Sequence, residues 1–309
     1  MAIESKLGWW WSVKLTSEAL SGLVDEEDPV PTVWETLWEM WYPAGESIKD
    51  HYDREKAALT YEQLLADIYL EFYQEILPTR CVNEAALTVP QDGTFLVMDA
   101  MSIREAALFV EALESWGYEP DVGYSYSAIP SETKFYRDRI DYKELRRNHI
   151  TTDVKSQEPA LDGDEELIWC RYPDALVENI QEGKTKLSSI EDMYETTEAT
   201  LKSILDQLET DRVVIGSDHG YTRFDAGHSF PISEQHKDAL QALFSSRFVS
   251  VGEKDGQPLV DAGLITEADG YYMPIGRYTW PTGGKYGTFT HGGVSLFECL
   301  TPRIEISLQ

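Results

Sequence analysis

Residues 212–220 read Arg-Val-Val-Ile-Gly-Ser-Asp-His-Gly. The β-branched run from Val213 to Ile215 predicts a buried strand that ends at the following glycine and serine. Asp218 and His219 then follow the carboxyl end of that strand, which is where open α/β sheets bind their ligands. A carboxylate oxygen and an imidazole nitrogen are suitable ligands for a divalent metal. The alternative is a turn in which Asp218 caps the backbone and His219 lies on the surface.

The segments around this stretch alternate between strand and helix patterns. Strands are predicted at 94–98, 118–127, 166–172, 247–251 and 303–308, and helices at 102–116, 187–208 and 233–244. Such alternation predicts an α/β fold with a mainly parallel central sheet and helices on both faces. We expect a helical N-terminal region at 1–90 and an α/β domain at 91–309.

The N-terminal region is rich in aromatic residues. Trp34, Trp38 and Trp41 recur at the spacing of one helix face, and residues 60–76 carry a similar apolar stripe. We interpret these side chains as core or as a contact between domains. The alternative is an exposed aromatic patch that recruits another protein.

The charge of the chain is strongly acidic. Its 309 residues include 26 Lys and Arg against 55 Asp and Glu, which gives a net charge of −29. Such a charge opposes tight binding to duplex nucleic acid and to anionic membranes. Because the acidic residues are dispersed and the hydrophobic content is 42%, we attribute them to a halophilic source rather than to disorder.

Cysteine content and hydropathy indicate a cytoplasmic protein. Cys81, Cys170 and Cys299 lie far apart and are odd in number, so they form neither a disulfide framework nor a Cys-x-x-Cys site. No signal peptide or bilayer-spanning run is apparent, and we expect no membrane partner.

Polar residues follow two further predicted strands. Asp99 comes directly after the apolar strand at 94–98, although it could instead cap the helix that follows. Thr133 comes after Pro130 and opens a predicted helix, where backbone N–H groups attract anions. The simpler interpretation makes Ser131 or Thr133 a helix cap.

Two more segments carry groups that bind metals. Asp174 and Glu178 are spaced i, i+4 after the strand at 166–172, so they face the same way on a helix. This pairing of like charges costs stability unless a cation or a basic group lies between them. His291 precedes two glycines that let the backbone approach a site closely.

Four segments in this order resemble the PglZ domain of the alkaline phosphatase superfamily. They are Val97-Met-Asp-Ala-Met-Ser-Ile-Arg-Glu105 (family Asp-Ala-Leu-Arg-x-Glu, with a looser fit after Ala100), Ala128-Ile-Pro-Ser-Glu-Thr133 (Leu-Pro-Ser/Thr-x-Thr), Gly216-Ser-Asp-His-Gly220 (Ser/Thr-Asp-His-Gly) and His291-Gly-Gly-Val-Ser-Leu-Phe-Glu-Cys-Leu-Thr-Pro302 (His-Gly-Gly-x-Ser-x-x-Glu-x-x-x-Pro). The resemblance covers roughly residues 93–309 and leaves the first 90 unexplained.

The resemblance implies an alkaline phosphatase-like fold and a two-metal phosphate chemistry. Thr133 would be the nucleophile of a phosphodiesterase or phosphatase, with two divalent ions, most simply zinc, on either side of an in-line displacement. The ligands carried over from the family motifs are Asp99, Thr133, Asp218 and His219 for one ion, and Asp174, the residue at 178 and His291 for the other.

The second implied metal site departs from the family pattern. Glu178 occupies a position where superfamily members often have histidine. A site richer in oxygen also suits manganese or magnesium, and the alternative is a weak or empty second site. His228, in Asp225-Ala-Gly-His228, is an additional candidate ligand or phosphate contact, against the simpler reading of a loop histidine.

Three functions follow from these observations. The leading hypothesis is a metal-dependent hydrolase of a phosphate ester such as a nucleotide or an oligonucleotide, in phage defence or nucleotide signalling. The second is a degenerate PglZ subunit that acts as a scaffold with protein partners of BREX or Pgl defence systems. The third is a module that senses a nucleotide without turnover.

Overall fold

The computed structural model of this protein describes residues 22–45, 47–182, 189–224, 227–281 and 288–308. Residues 1–21 of the predicted helical region, 187–188 of the predicted long helix and Asp225 lie outside the described residues. Within the described residues, no helix combines the length and the apolar character needed to cross a membrane.

The strands form one large sheet and two small ones. In chain order they are β1 (Gly93–Met98), β2 (Asp121–Tyr126), β3 (Thr151–Val154), β4 (Leu167–Cys170), β5 (Arg212–Gly216), β6 (Thr222–Arg223), β7 (Val249–Ser250), β8 (Ile265–Ala268), β9 (Tyr271–Pro274), β10 (Phe289–Thr290) and β11 (Leu300–Ser307).

Helices connect most of these strands. They are α1 (Val30–Trp41), α2 (Ile48–Tyr52), α3 (Glu55–Ile68), a π-helical segment (Phe72–Ile76), α4 (Leu77–Glu84), α5 (Ile103–Ser115), α6 (Thr133–Arg139), α7 (Tyr142–Asn148), α8 (Asp174–Glu182), α9 (Ile190–Leu205), α10 (Glu234–Leu243), α11 (Gln257–Asp261) and α12 (Leu296–Cys299).

The central sheet has six strands in the order β2-β11-β5-β1-β4-β3. Strand β1 runs parallel to β4 and β5, and β3 runs parallel to β4. Only β11 of these six runs the other way, since it pairs antiparallel with both β2 and β5. The predicted α/β class with a mainly parallel sheet is therefore confirmed.

Both faces of the sheet are covered, as the apolar strands predict. Phe95 and Val97 of β1 pack into one core, which also holds the N-terminal helices. Leu96 and Met98 point into a second core on the other face, beside helices α5, α8 and α9. Successive residues of a strand face opposite sides, so an unbroken apolar run fills two cores.

The N-terminal helices share their core with the sheet. Trp34 and Trp41 are buried and Trp38 is half-buried, in the same core as Val97 and Val214. The aromatic residues therefore serve as core, which was the first of the two interpretations. The boundary near residue 90 stays a prediction.

The prediction of a strand at 247–251 is only partly right. The structure has the two-residue strand β7, which belongs to a separate three-stranded sheet with β8 and β9. Arg247 lies in a bend before this strand, and its guanidinium binds Glu298.

Candidate metal centre

The sheet topology brings the predicted site residues to one edge. Asp99 follows β1, Asp174 follows β4 and Asp218 follows β5, and these three strands are parallel. Parallel strands end at the same edge, so the residues that follow them meet there. Because β11 is antiparallel, its first residue lies at this edge too, which brings the preceding His291 segment back to it.

Thr133 lies between two of the predicted metal ligands. Its Oγ1 is 3.1 Å from Asp99 Oδ1 and 3.2 Å from His219 Nε2. The N-cap of α6 is Glu132, and no side chain caps this helix. Ser131 instead donates to the carbonyl of Gly293 and accepts from the N–H of Gly292. Neither hydroxyl therefore acts as the cap that the simpler interpretation expected.

Asp99 is fixed by a neighbour on strand β4. Its Oδ2 accepts a hydrogen bond of 2.9 Å from the indole Nε1 of Trp169, a residue of β4. The helix that follows β1 is capped by Ser102 and Glu105, which form a capping box. Asp99 is thus not that cap, and its carboxylate is directed to the site.

Asp218 is held at the base of the site. It is fully buried, and its Oδ1 accepts a hydrogen bond of 3.1 Å from the N–H of Ala100. Ala100 has a φ of 60°, a left-handed conformation that is rare for alanine and is typical of functional sites. The other oxygen, Oδ2, is buried and has no hydrogen-bond partner among the described residues.

His219 turns its Nε2 toward the site. It is fully buried, and its Nδ1 lies 3.0 Å from the carbonyl of Gly220. A carbonyl can only accept, so Nδ1 carries the proton and Nε2 is the ring atom that faces the carboxylates. Nε2 lies 3.7 Å from Asp218 and 3.9 Å from Asp99. A surface position for His219 is excluded.

Asp99, Asp218 and His219 form a group suited to a cation. One ligand atom from each residue lies within 4.8 Å of the others, and all three side chains are buried. A buried carboxylate oxygen without a partner is costly unless a cation occupies the space beside it. Two oxygens and one nitrogen are a donor set that zinc and manganese accept. The residues therefore fit a divalent metal.

The residues predicted for a second ion lie next to this group. His291 Nε2 is 3.9 Å from Asp174 Oδ1. The ring of His291 stacks on the ring of His219, with centroids 4.4 Å apart. The N–H of Asp174 donates to the carbonyl of Asp99, which ties the two loops together.

Glu178 and His228 are placed differently. Glu178 lies one turn after Asp174 on α8, as predicted, and it is exposed. His228 is half-buried and is not part of the group formed by Asp99, Asp218 and His219. A ligand role for either residue stays a prediction.

Burial and mutual repulsion dominate the electrostatics of this edge. Burial, and next the charge of Asp218, raises the pKa of Asp99 to about 6. Burial, and next the charge of Asp99, raises the pKa of Asp174 to about 8. Burial acts to lower the pKa of His219, but the three aspartates outweigh it and raise this pKa to about 9. Burial and the charge of His219 lower the pKa of His291 to about 3. A bound cation would relieve the repulsion between the carboxylates.

Two glycines of the motifs allow close packing around the centre. A Cβ on Gly220 would lie 2.0 Å from the carbonyl oxygen of Phe297, and one on Gly293 would lie 2.6 Å from the guanidinium of Arg247. Glu298 accepts a hydrogen bond from the N–H of Gly293 and pairs with Arg247. Glu298 therefore braces the loop that carries His291.

Comparisons with known proteins add little to this geometry. No protein-family model and no curated protein matches the chain. One solved structure that it resembles is phosphonoacetate hydrolase from Sinorhizobium meliloti 1021, in complex with phosphonoformate, with 12% sequence identity and a TM-score of 0.27. The match covers 68% of this chain and 64% of that one. A similarity of this size carries no conclusion on function.

Sequence reasoning missed Trp169 as a part of the site. It lies inside an apolar strand, where tryptophan is read as core, and it is indeed buried. A buried indole N–H requires a hydrogen-bond acceptor. This requirement was the available signal that Trp169 has a polar neighbour. Which acceptor it meets depends on β4 lying next to β1.

Proposed function

We propose that this chain is a metal-dependent hydrolase of phosphate esters in which Thr133 is the nucleophile. The observation that carries the proposal is that Thr133 Oγ1 lies within 3.2 Å of both Asp99 and His219. A hydroxyl beside a base and a metal-binding group is the arrangement of an activated nucleophile. The order of the four sequence motifs supports the same chemistry.

Asp99, Asp218 and His219 would hold one divalent ion, and Asp174 and His291 offer donors for another. When bound, such an ion acts as a Lewis acid that lowers the pKa of a neighbouring hydroxyl and balances the charge of phosphoryl oxygens. Zinc is our first candidate, and the oxygen-rich donors also suit manganese or magnesium.

The protein's own groups orient the nucleophile and take its proton. The Thr133 hydroxyl donates to Asp99 Oδ1, while Trp169 holds the other oxygen of that carboxylate. As Oγ1 bonds to phosphorus, its proton passes to Asp99 and the bond from phosphorus to the leaving oxygen breaks. The leaving oxygen takes a proton from solvent and departs as an alcohol, and Asp99 returns its proton to solvent. A water molecule then hydrolyses the phosphothreonine and restores the hydroxyl, with inorganic phosphate or a phosphomonoester as product.

Substitution of Thr133 tests this proposal. We expect nitrophenyl esters of phosphate to be hydrolysed in the presence of Zn²⁺ or Mn²⁺, and a chelator to abolish the activity. Thr133→Ala is expected to lower kcat by about 10³-fold or more, since it removes the nucleophile. Thr133→Ser keeps a hydroxyl and is expected to keep measurable activity.

Thr60→Ala is the matched control, because Thr60 is exposed on α3 and its hydroxyl donates to the carbonyl of Lys56 in the same helix. It is expected to leave the rate unchanged. Equal rates for Thr133→Ala and the native protein would remove Thr133 from the nucleophile role.

The second candidate function is a scaffold or nucleotide-sensing subunit of a PglZ defence complex. The exposure of Glu178 favours it, because the second ion would then have two partly buried donors, Asp174 and His291. Metal analysis of the purified protein separates the two functions. About two equivalents support the hydrolase, and none after purification with metal present supports the scaffold.

A further inference from the structure

An open groove lies beside Thr133, between helices α6 and α7. Its volume is about 750 Å³, and Thr133 forms part of its wall. The rest of the lining is dominated by four basic side chains, those of Lys134, Arg137, Lys143 and Arg146. This volume suits a ligand of nucleotide size.

The groove is positively charged on a strongly negative protein. Its lining has the four basic residues against two acidic ones, Asp138 and Asp141, whereas the chain as a whole has a net charge of −29. Six of the 26 Lys and Arg residues fall within residues 134–147. A local excess of positive charge beside a nucleophile attracts an anionic substrate to that side of the site.

Three of these four cations lack a close ion-pair partner among the described residues. Lys134, Arg137 and Lys143 form no ion pair with any acidic residue that the structure describes, while Arg146 pairs with Asp153 at 3.1 Å. In contrast, Arg139 and Arg147, which do not line the groove, pair with Asp269 and Glu144.

Arg137 connects the groove to the metal centre. It lies one turn after Thr133 on α6, with its guanidinium 4.0 Å from the ring centroid of Trp169 and 4.8 Å from that of Tyr142. Its Nε is buried and has no hydrogen-bond partner among the described residues. The contacts with these two rings hold the guanidinium at the wall of the groove, where its positive charge attracts an oxyanion.

We propose that this groove binds a second phosphate group of the substrate, beyond the phosphate that reacts at Thr133. The inference rests on the proposed hydrolase function and specifies its substrate class as a short ester that carries at least two phosphates. Arg137 supplies a guanidinium at the wall of the groove, and the exposed Lys134 and Lys143 add positive charge there. A short single-stranded oligonucleotide and a nucleoside polyphosphate share this chemistry.

Direct binding to the metal-loaded Thr133→Ala variant, which lacks the proposed nucleophile, tests the groove without turnover. We expect thymidine 3′,5′-bisphosphate or thymidine 5′-diphosphate to bind about tenfold more tightly than thymidine 5′-monophosphate by calorimetry, as one charge-assisted hydrogen bond supplies. Tighter binding of the bisphosphate assigns an oligonucleotide, and tighter binding of the diphosphate assigns a nucleoside polyphosphate. Equal affinity for all three ligands overturns the proposal.

Two groove variants and one control test which residues cause the preference for two phosphates. Arg137→Met and Lys143→Gln are each expected to reduce the preference for two phosphates by about three- to tenfold. Lys143 is exposed, so its variant tests the groove even if Arg137→Met perturbs Trp169. Arg147→Gln lies outside the groove and is expected to keep the preference. A preference that is unchanged in both groove variants contradicts the proposal.

Hydrolysis assays distinguish a failure of the groove proposal from a failure of the hydrolase proposal on which it rests. The substrates are the nitrophenyl ester of thymidine 5′-phosphate with and without a 3′-phosphate. Hydrolysis of both at equal kcat/KM, together with equal affinity for the three thymidine ligands, overturns the groove alone. Failure to hydrolyse either ester, with the binding preference intact, overturns the hydrolase and leaves the groove as an anion site.

Discussion

The two oxygens of Asp218 have different roles. Oδ1 is tied to the N–H of Ala100, and Oδ2 is buried without a partner among the described residues. His219, next in the chain, uses Nδ1 for a backbone carbonyl and turns Nε2 to the carboxylates. Each side chain thus has one atom that fixes its position and one that is left for a ligand.

Raising the pH from 7 to 9 is expected to destabilise the metal-free protein. The folded state raises the pKa of Asp174 from 3.8 to about 8 and that of His219 from 6.5 to about 9. The unfolded chain loses these protons at lower pH, so the stability they supply is lost as pH rises through 8 and 9. Thermal melting in a chelator, from pH 7 to 9, measures this loss.

Asp174→Asn is the informative variant for this pH dependence. It removes one titrating group and one of the charges that raise the pKa of His219, so the melting curve is expected to flatten between pH 7 and 9. Glu35→Gln, on the exposed face of α1, is the control and keeps the native slope. An unchanged slope in Asp174→Asn would show that these groups do not control the pH dependence.

Helices α3 and α5 are joined by buried charges. Arg104 of α5 donates twice to Glu55 of α3, at 2.6 Å, and also to the carbonyl of Tyr221. Arg277 in turn binds both Glu55 and Glu62. All four charged side chains are fully buried. The network links the N-terminal helices to the segments that flank the candidate metal centre.

Arg104→Met is expected to lower the free energy of unfolding by about 3–5 kcal/mol, because it leaves a buried carboxylate without part of its compensating charge. Denaturant titration monitored by tryptophan fluorescence measures the change. Arg147→Met removes the same kind of side chain from an exposed i, i+3 pair with Glu144 and is expected to cost less than about 0.5 kcal/mol. If both variants lower the free energy of unfolding by similar amounts, the buried network does not contribute more than an exposed ion pair.

The acidic surface predicts how the entire protein responds to salt. With a net charge of −29, repulsion between carboxylates opposes the compact state in dilute buffer. Molar KCl shortens the screening length to about 3 Å. We therefore expect the melting temperature to rise in molar KCl at pH 7, and to rise less at pH 5, where some carboxylates are protonated. A melting temperature that is independent of KCl would contradict the halophile hypothesis.

Local sequence patterns were sufficient to predict five of the six strands of the central sheet, all except β3. The apolar runs that became β1, β4 and β5 are continuous because the sheet is covered on both faces. The ends of helix α5 and the positions of Asp99, Asp174 and Asp218 after strands could be read from neighbouring residues alone. The resemblance to a known family then suggested which of these residues share a site.

Long-range pairing supplied the rest, because contacts between distant segments leave little trace in local composition. The antiparallel direction of β11 brings His291 to the edge where the parallel strands end. The neighbouring positions of β1 and β4 give the Trp169 indole the Asp99 carboxylate as its acceptor. Glu178 lies on α8 one turn after Asp174, as predicted. Whether its side chain is exposed or faces the site depends on how α8 packs against the sheet. Periodicity thus accounts for the strands and helices, and packing between them determines which polar atoms lie close enough to bind an ion.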